Sequence, residues 1–257
     1  MSILLPLYVY PTAGAWDPLY SAAKKYPDVD FTVIINPCSG PCMGSLPDQY
    51  YLNEVPKLHN YRNIRTLGYV ATNYANKELS SVLAEIDTYA NWPRLTNNTK
   101  FRVEGIFFDE TPSEYVSYKY EYLDRASKYV RNGTRFRDRF VVHNPGLISP
   151  SLLASPSILQ NSYMNLTDIT VIFEETFSKF IDKPTFEALQ AHRLRKSKLA
   201  VILHSMPNVA KRFLDFVVEQ VEDAADWVFL TDISVKDEYY HGFGGLFEGV
   251  VRAVDRG

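Results

Sequence analysis

The sequence predicts a closed (β/α)8 barrel, on two features of its pattern and one of its length. Eight short apolar runs, over 4–11, 31–37, 65–72, 104–110, 139–146, 168–175, 199–206 and 227–232, alternate with helix-like stretches. Strands that alternate with helices read as parallel βαβ units. The runs are dense in Val, Ile, Leu and Phe, as parallel strands covered by helices should be. The 257 residues fit one such barrel, typically about 250 residues, so a single domain over 1–257 is expected.

The elements follow in order. Residues 1–11 lack a basic leader region and carry Pro6 and Pro11, so they read as the first strand rather than a targeting segment. A helix over 77–90 places Leu79, Val82, Leu83, Ile86 and Tyr89 on one face. A helix over 114–130 does the same with Tyr115, Tyr118, Tyr122, Ala126 and Tyr129, and Gly133 follows as its stop. Residues 149–163 contain Pro150 and Pro156 and suggest a short or broken helix. A helix over 209–224 carries Phe213, Phe216, Val217 and Val221, and one over 244–256 closes the ring. The rival architecture, an open doubly wound sheet, usually shows a Gly-rich phosphate loop after its first strand. Here Tyr10-Pro-Thr-Ala-Gly-Ala-Trp16 has no G-x-G-x-x-G, and no P-loop motif occurs anywhere.

Composition narrows the function. At 46% hydrophobic and 22% charged, with a formal charge of −3, the chain gives no reason to expect a nucleic acid or membrane partner. No apolar stretch approaches the roughly 20 residues that cross a bilayer. Cys38 and Cys42 lie four apart in a Pro/Gly loop and are read as a small disulfide. Asn97, Asn132 and Asn165 begin Asn-x-Ser/Thr sequons in polar connecting segments, so they are expected glycosylation sites. Both features point to a secreted or cell-surface protein, expected to act as a monomer.

Active sites of (β/α)8 barrels lie where the strands finish. Those ends offer Tyr8 and Tyr10, Asn36, Tyr69 and Thr72, Asp109-Glu110, His143-Asn144, Glu174-Glu175, His204, and Thr231-Asp232. Asp109 and Glu174 stand two strands apart, about 10 Å between backbones. Side chains leaning to the axis bring their carboxyl groups to roughly 5 Å, the separation used by retaining glycosidases. One carboxyl must be ionised and the other protonated, and Glu110 adds like charge that raises proton affinity nearby. Strand alternation leaves open which member of each acidic pair points inward. Phe107, Phe108 and Phe173 are candidates for an apolar wall, and Tyr8, Trp16, Tyr69, Tyr239 and Tyr240 for sugar stacking. Tyr8, Asn36, Tyr69, His143, Asn144, His204, Asp232 and Tyr239 form the expected substrate-binding set. A metal-dependent deacetylase would need ligands such as a His-x-His on the first strand, where Tyr8-Val-Tyr10 stands, so no metal or other cofactor is expected. There is no G-x-S-x-G elbow for a serine nucleophile.

Taken together, Leu7-Tyr-Val-Tyr-Pro11, Ile35-Asn-Pro-Cys-Ser-Gly-Pro41, Gly68-Tyr-Val-Ala-Thr72, Gly105-Ile-Phe-Phe-Asp-Glu110, His143-Asn-Pro-Gly146 and Val171-Ile-Phe-Glu174 resemble the spherulin-4 family, in order over nearly the whole chain. That family includes fungal glycoside hydrolases of family 135, which cleave galactosaminogalactan. The resemblance implies a (β/α)8 barrel and an endo-acting hydrolase of α-1,4-linked aminosugars. It implies Asp109 as nucleophile, Glu174 as general acid/base and Glu110 as an auxiliary that tunes charge or holds an amino group. The implied partner is a polysaccharide of N-acetylgalactosamine and galactosamine. One departure from the family pattern is Cys38 after Asn36-Pro37, where a bridge to Cys42 would stiffen the loop or reshape the cleft. The alternative is a carbohydrate-binding or structural protein of cell walls or dormancy that keeps the barrel without turnover.

Overall fold

A computed structural model describes residues 1–147, 163–236 and 238–256. Its eight parallel strands close into one barrel in sequence order. They are β1 (Ser2–Leu7), β2 (Phe31–Ile35), β3 (Ile64–Ala71), β4 (Gly105–Asp109), β5 (Phe140–His143), β6 (Ile169–Thr176), β7 (Leu199–His204) and β8 (Trp227–Leu230). Each lies within or closely overlaps one of the apolar runs. The helices are α1 (Asp17–Lys25), α2 (Gln49–Leu58), α3 (Leu79–Thr96), α4 (Ser117–Lys128), the single turn α5 (Phe177–Phe180), α6 (Lys183–Ala191), α7 (Lys211–Glu222) and α8 (Phe247–Val254). The broken helix expected over 149–163 falls almost wholly outside the described residues.

Pro6 sits inside β1, where it cannot donate to a ladder. Ile3 donates to Asp30 across to β2, so the positions of opposite parity face β8. The β1–β8 pairing reaches only Ser2 and Ile3. Proline therefore falls beyond the end of that ladder and removes no strand bond. On β6, the register against β7 runs from Val171–Ala200 directly to Phe173–Val201. Ile172 is the extra residue of a bulge, a device that re-aims the side chains after it.

Helix faces correct three expectations. On α4 the buried residues are Leu123, Ala126 and Ser127, while Tyr118 is exposed. Ala126 keeps the expected face, with Tyr122 and Tyr129 partly buried against the core beside it, while Leu123 and Ser127, one position on, share the closest seat on the barrel. On α7 Leu214, Val217, Val218 and Val221 are buried, whereas Phe213 and Phe216 are 42% and 50% exposed. The α4 helix stops at Lys128 and runs through a wider turn, Tyr129–Gly133, before the chain leaves it. Its Gly133 stands against the Tyr129 ring.

Two glycines let layers meet at backbone distance. The Tyr89 ring of α3 lies 2.7 Å from where a Gly68 Cβ would stand, and its hydroxyl donates to the Ile35 carbonyl at 3.2 Å. At Gly105 an added Cβ would sit 2.0 Å from the Phe140 carbonyl oxygen. Backbone cannot rotate away as a side chain can. Gly105→Ala is therefore expected to cost about 1–3 kcal/mol of stability, read as a lowered melting temperature by calorimetry. An unchanged melting temperature would mean that β4 and β5 separate freely there.

Candidate active site

The strand parities decide what reaches the mouth of the barrel. Tyr69 pairs in register with Phe107, and Phe107 with Val142. These three form a layer, with the Tyr69 and Phe107 rings stacked at 6.2 Å. Two residues further along their strands, on the same face, come Asp109 and Asn144. The residues between them point outward. Phe108 and His143 meet edge to face at 5.6 Å, and His143 Nε2 lies 3.0 Å from the Ser127 hydroxyl of α4. Beyond the β6 bulge, Phe173 packs outward on Phe180 and Glu174 turns to the axis. Its neighbour Glu175 accepts from the Thr176 backbone amide instead.

At the centre, the Asn144 side chain donates one amide hydrogen to each acid. Its Nδ2 lies 2.8 Å from Asp109 Oδ1 and 2.5 Å from Glu174 Oε2. Those two bonds laid end to end limit the gap between the oxygens to about 5 Å. The amide is oriented from behind, because its Oδ1 accepts the Gly146 N–H at 2.9 Å. Its backbone is tied to the chain on either side of the Asp109-Glu110 pair, donating to the Phe108 carbonyl at 2.8 Å and accepting from the Thr111 N–H at 3.0 Å. Tyr69 donates to Asp109 Oδ2 at 2.7 Å, and Tyr240 donates to Glu174 Oε1. Tyr8 stands between these tyrosines, edge-on to the Tyr69 and Tyr240 rings at 5.7 and 5.5 Å.

Burial pushes both carboxyl groups above their ordinary range. For Asp109, hydrogen bonds from Tyr69, the Glu110 backbone and Asn144 oppose that rise, while the charge of Glu110 adds to it. For Glu174, the charge of Asp109 adds to burial, and the bonds from Tyr240 and Asn144 oppose both. Asp109 thus accepts from three donors and Glu174 from two, and burial raises both. Interacting groups this close titrate as a pair.

The remaining expected residues divide. His204 stacks on Tyr239 at 3.8 Å and contacts Ser205 through Nδ1. Tyr239 in turn lies against Tyr240, so this stack flanks Glu174. Glu110 is exposed at the mouth with φ +52°. Asp232 has a buried Oδ1 with no hydrogen-bond partner among the described residues. That atom lies where a Gly244 side chain would begin. Asn36 takes a different part, its Oδ1 accepting the Gly40 N–H at 2.9 Å inside the loop that the Cys38–Cys42 disulfide closes. His143 is not a rim residue. At 3% exposure its imidazole is pushed down to about 3, chiefly by burial, and alternation turns it away from the axis. Trp16 is likewise buried, donating to the Val9 carbonyl. Sequence reasoning saw Tyr240 only as a stacking ring; its grip on Glu174 depends on a loop path that no strand pattern encodes. Among the described residues no group of three His, Cys, Asp or Glu side chains could hold a metal ion, and no helix is long and apolar enough to cross a membrane.

Comparison with known proteins gives consistent matches. The family model described as spherulation-specific family 4, Spherulin4, matches residues 2–254. Spherulin-4 of Physarum polycephalum is 34% identical over 184 residues, 69% of this chain and 46% of that protein. The aligned part thus spans less than half the length of that curated relative. Among solved structures, Sph3 of Aspergillus clavatus, determined in complex with GalNAc, superposes with a TM-score of 0.90 at 41% identity. That match covers 99% of this chain and 97% of Sph3.

The raised carboxyls predict a pH-dependent stability gain on neutralising one of them. Below about pH 4 the acid is protonated folded or unfolded, and no penalty arises. As pH rises above that range, the unfolded state ionises freely while the folded state resists, so stability falls. Glu174→Gln should therefore melt higher than wild type at pH 7, by roughly 2–4 °C per kcal/mol released. The difference should vanish near pH 3.5. A constant difference across a calorimetric pH series would show that the Glu174 charge is not strained.

Proposed function

The chain belongs to the Spherulin4 family, and on that premise we propose that it is an endo-acting, retaining glycoside hydrolase of a polymer containing α-1,4-linked N-acetylgalactosamine and galactosamine. The observation that carries this reading is the pair of carboxyl groups held by one amide. The bridged oxygens lie no more than about 5 Å apart, which supports the separation of about 5–5.5 Å used by retaining glycosidases over the about 6.5–9.5 Å of inverting ones. The similarity to a structure solved with GalNAc supports a sugar of that class as substrate.

In this mechanism Asp109, the acid with more hydrogen-bond donors, attacks the anomeric carbon. Glu174 gives its proton to the departing glycosidic oxygen, and the glycosidic bond breaks as the Asp109 ester forms. Glu174, now ionised, takes a proton from water, whose oxygen displaces Asp109 from the anomeric carbon. Tyr69 and Asn144 hold Asp109 so that one geometry serves both displacements. The requirement for one bare and one protonated acid gives a bell-shaped pH dependence, with its acid limb above the ordinary carboxyl range.

Asp109→Asn and Glu174→Gln are each expected to abolish reducing-end release from galactosaminogalactan while the barrel stays folded. Proton NMR of the first products from wild type should show the α-anomer. Initial β-anomer would replace the retaining assignment, and full activity in either variant would remove these acids from the chemistry. Polymer binding by wild type without any release would favour the non-catalytic reading.

Export of the protein is part of this proposal. The disulfide and the exposed side chains of Asn97, Asn132 and Asn165 support an extracellular site of action, where disulfides persist. Protein made in a eukaryotic secretory host should lose mass on treatment with an N-glycan-removing amidase. No mass change would withdraw the sequons from the argument.

A further inference from the structure

The segment after β3 is backbone that packing alone does not explain. Asn73, Tyr74 and Ala75 have φ of +48°, +54° and +66°, three successive non-glycine residues in the left-handed region. That conformation is costly for any residue with a Cβ, and such outliers gather at functional sites. The turn is pinned to the candidate active site. Tyr74 donates its backbone N–H to the Glu110 carbonyl at 2.6 Å, and Thr72 donates to the Asp109 carbonyl at 2.9 Å. The fully buried Thr72 hydroxyl spans the Asp109 and Glu110 carbonyls at 3.1 and 2.8 Å. Glu110, itself at φ +52°, completes the strained junction. Behind the turn, Lys77 donates to the Thr72 carbonyl and Asn76 to the Asn73 carbonyl.

What this junction presents is a ring. Tyr74 is 51% exposed and has no aromatic or side-chain hydrogen-bond partner among the described residues. Its backbone is anchored one residue beyond Asp109. A large rigid aromatic surface, half exposed and engaged by no other ring among the described residues, is a face on which a sugar can stack. Of the other tyrosines at the mouth, Tyr8, Tyr69 and Tyr240 are spent on the two acids and on each other, and Tyr239 stacks on His204.

We infer that Tyr74 is the floor of a sugar-binding subsite next to the cleavage point, on the β3–β4 side, taking a hexosamine ring of the polymer by stacking. This inference rests on the sugar-polymer reading above and adds a specificity-determining residue to it. The left-handed turn sets the height and tilt of the ring, and its bonds to the β4 terminus fix the subsite relative to Asp109.

The test uses the full chain carrying Glu174→Gln, so that binding is read without turnover. Oligomers of α-1,4-linked N-acetylgalactosamine, from one to seven units, are titrated by calorimetry. Adding Tyr74→Ala should weaken binding of the long oligomers by about tenfold, the size of an ordinary aromatic contact, and weaken the single sugar less. Tyr74→Phe should keep the affinity, because the stacking face is retained. Equal affinity of the Tyr74→Ala and Tyr74 proteins at every length overturns the subsite. Should Tyr74→Ala fail to fold, the Tyr74 ring resonances of the otherwise intact chain serve instead. They shift on adding the longest oligomer if the subsite exists, and an unmoved ring under saturating oligomer overturns it. Absence of oligomer binding to any variant defeats the sugar-polymer reading together with this one, whereas binding indifferent to Tyr74 defeats only the platform.

Discussion

A single side-chain amide sets the spacing of the two acids. Asn144 lends one hydrogen to Asp109 and the other to Glu174, and its own carbonyl oxygen and backbone are held by Gly146, Phe108 and Thr111. Its neutrality matters as much as its reach. A cation at the same place would stabilise both carboxylates and drive both toward full ionisation. A neutral donor steadies each acid while leaving their mutual repulsion and the cost of burial largely in place. One proton can then reside between the pair, which general acid catalysis needs at moderate pH.

The barrel supplies this arrangement through alternation and one exception to it. Three strands in regular register, β3 to β5, put Tyr69, Phe107 and Val142 in one interior layer and Asp109 with Asn144 above it. The second acid, Glu174, arrives from β6 by way of the bulge at Ile172. The tyrosines then divide the work. Tyr69 and Tyr240 each satisfy an outer carboxyl oxygen, and Tyr8 wedges between their rings. The aromatic mouth is therefore as much a device for holding two buried acids as a surface for ligand.

Strain is concentrated around the same acids. Glu110, Asn73, Tyr74 and Ala75 all take left-handed backbone, and all lie where β3 and β4 end. The bonds from Thr72 to two successive carbonyls over-determine that junction, so the conformation persists despite its cost. On the outer surface the opposite economy holds. His143, Trp16 and Tyr89 bury their polar atoms against single dedicated partners, which stabilises the wall and leaves it chemically quiet.

Much of this was legible in the residue order. The eight apolar runs, their parallel-sheet composition and the clustering of polar residues at their ends specify a barrel, because each is a local consequence of burying a strand on both faces. The Cys38–Cys42 pairing was legible too, since five residues of Pro/Gly loop bring the two thiols together. Sequence alone left undecided which of Asp109 or Glu110, and of Glu174 or Glu175, faces the axis. A period of two fixes parity only relative to a reference, and the bulge at Ile172 resets it. The outward turn of His143, the exposure of Phe213 and Phe216, and the reach of Tyr240 to Glu174 were likewise settled by tertiary structure. They depend on which neighbouring surface lies closest in space, and that distance is set by the closed ring rather than by any stretch of chain.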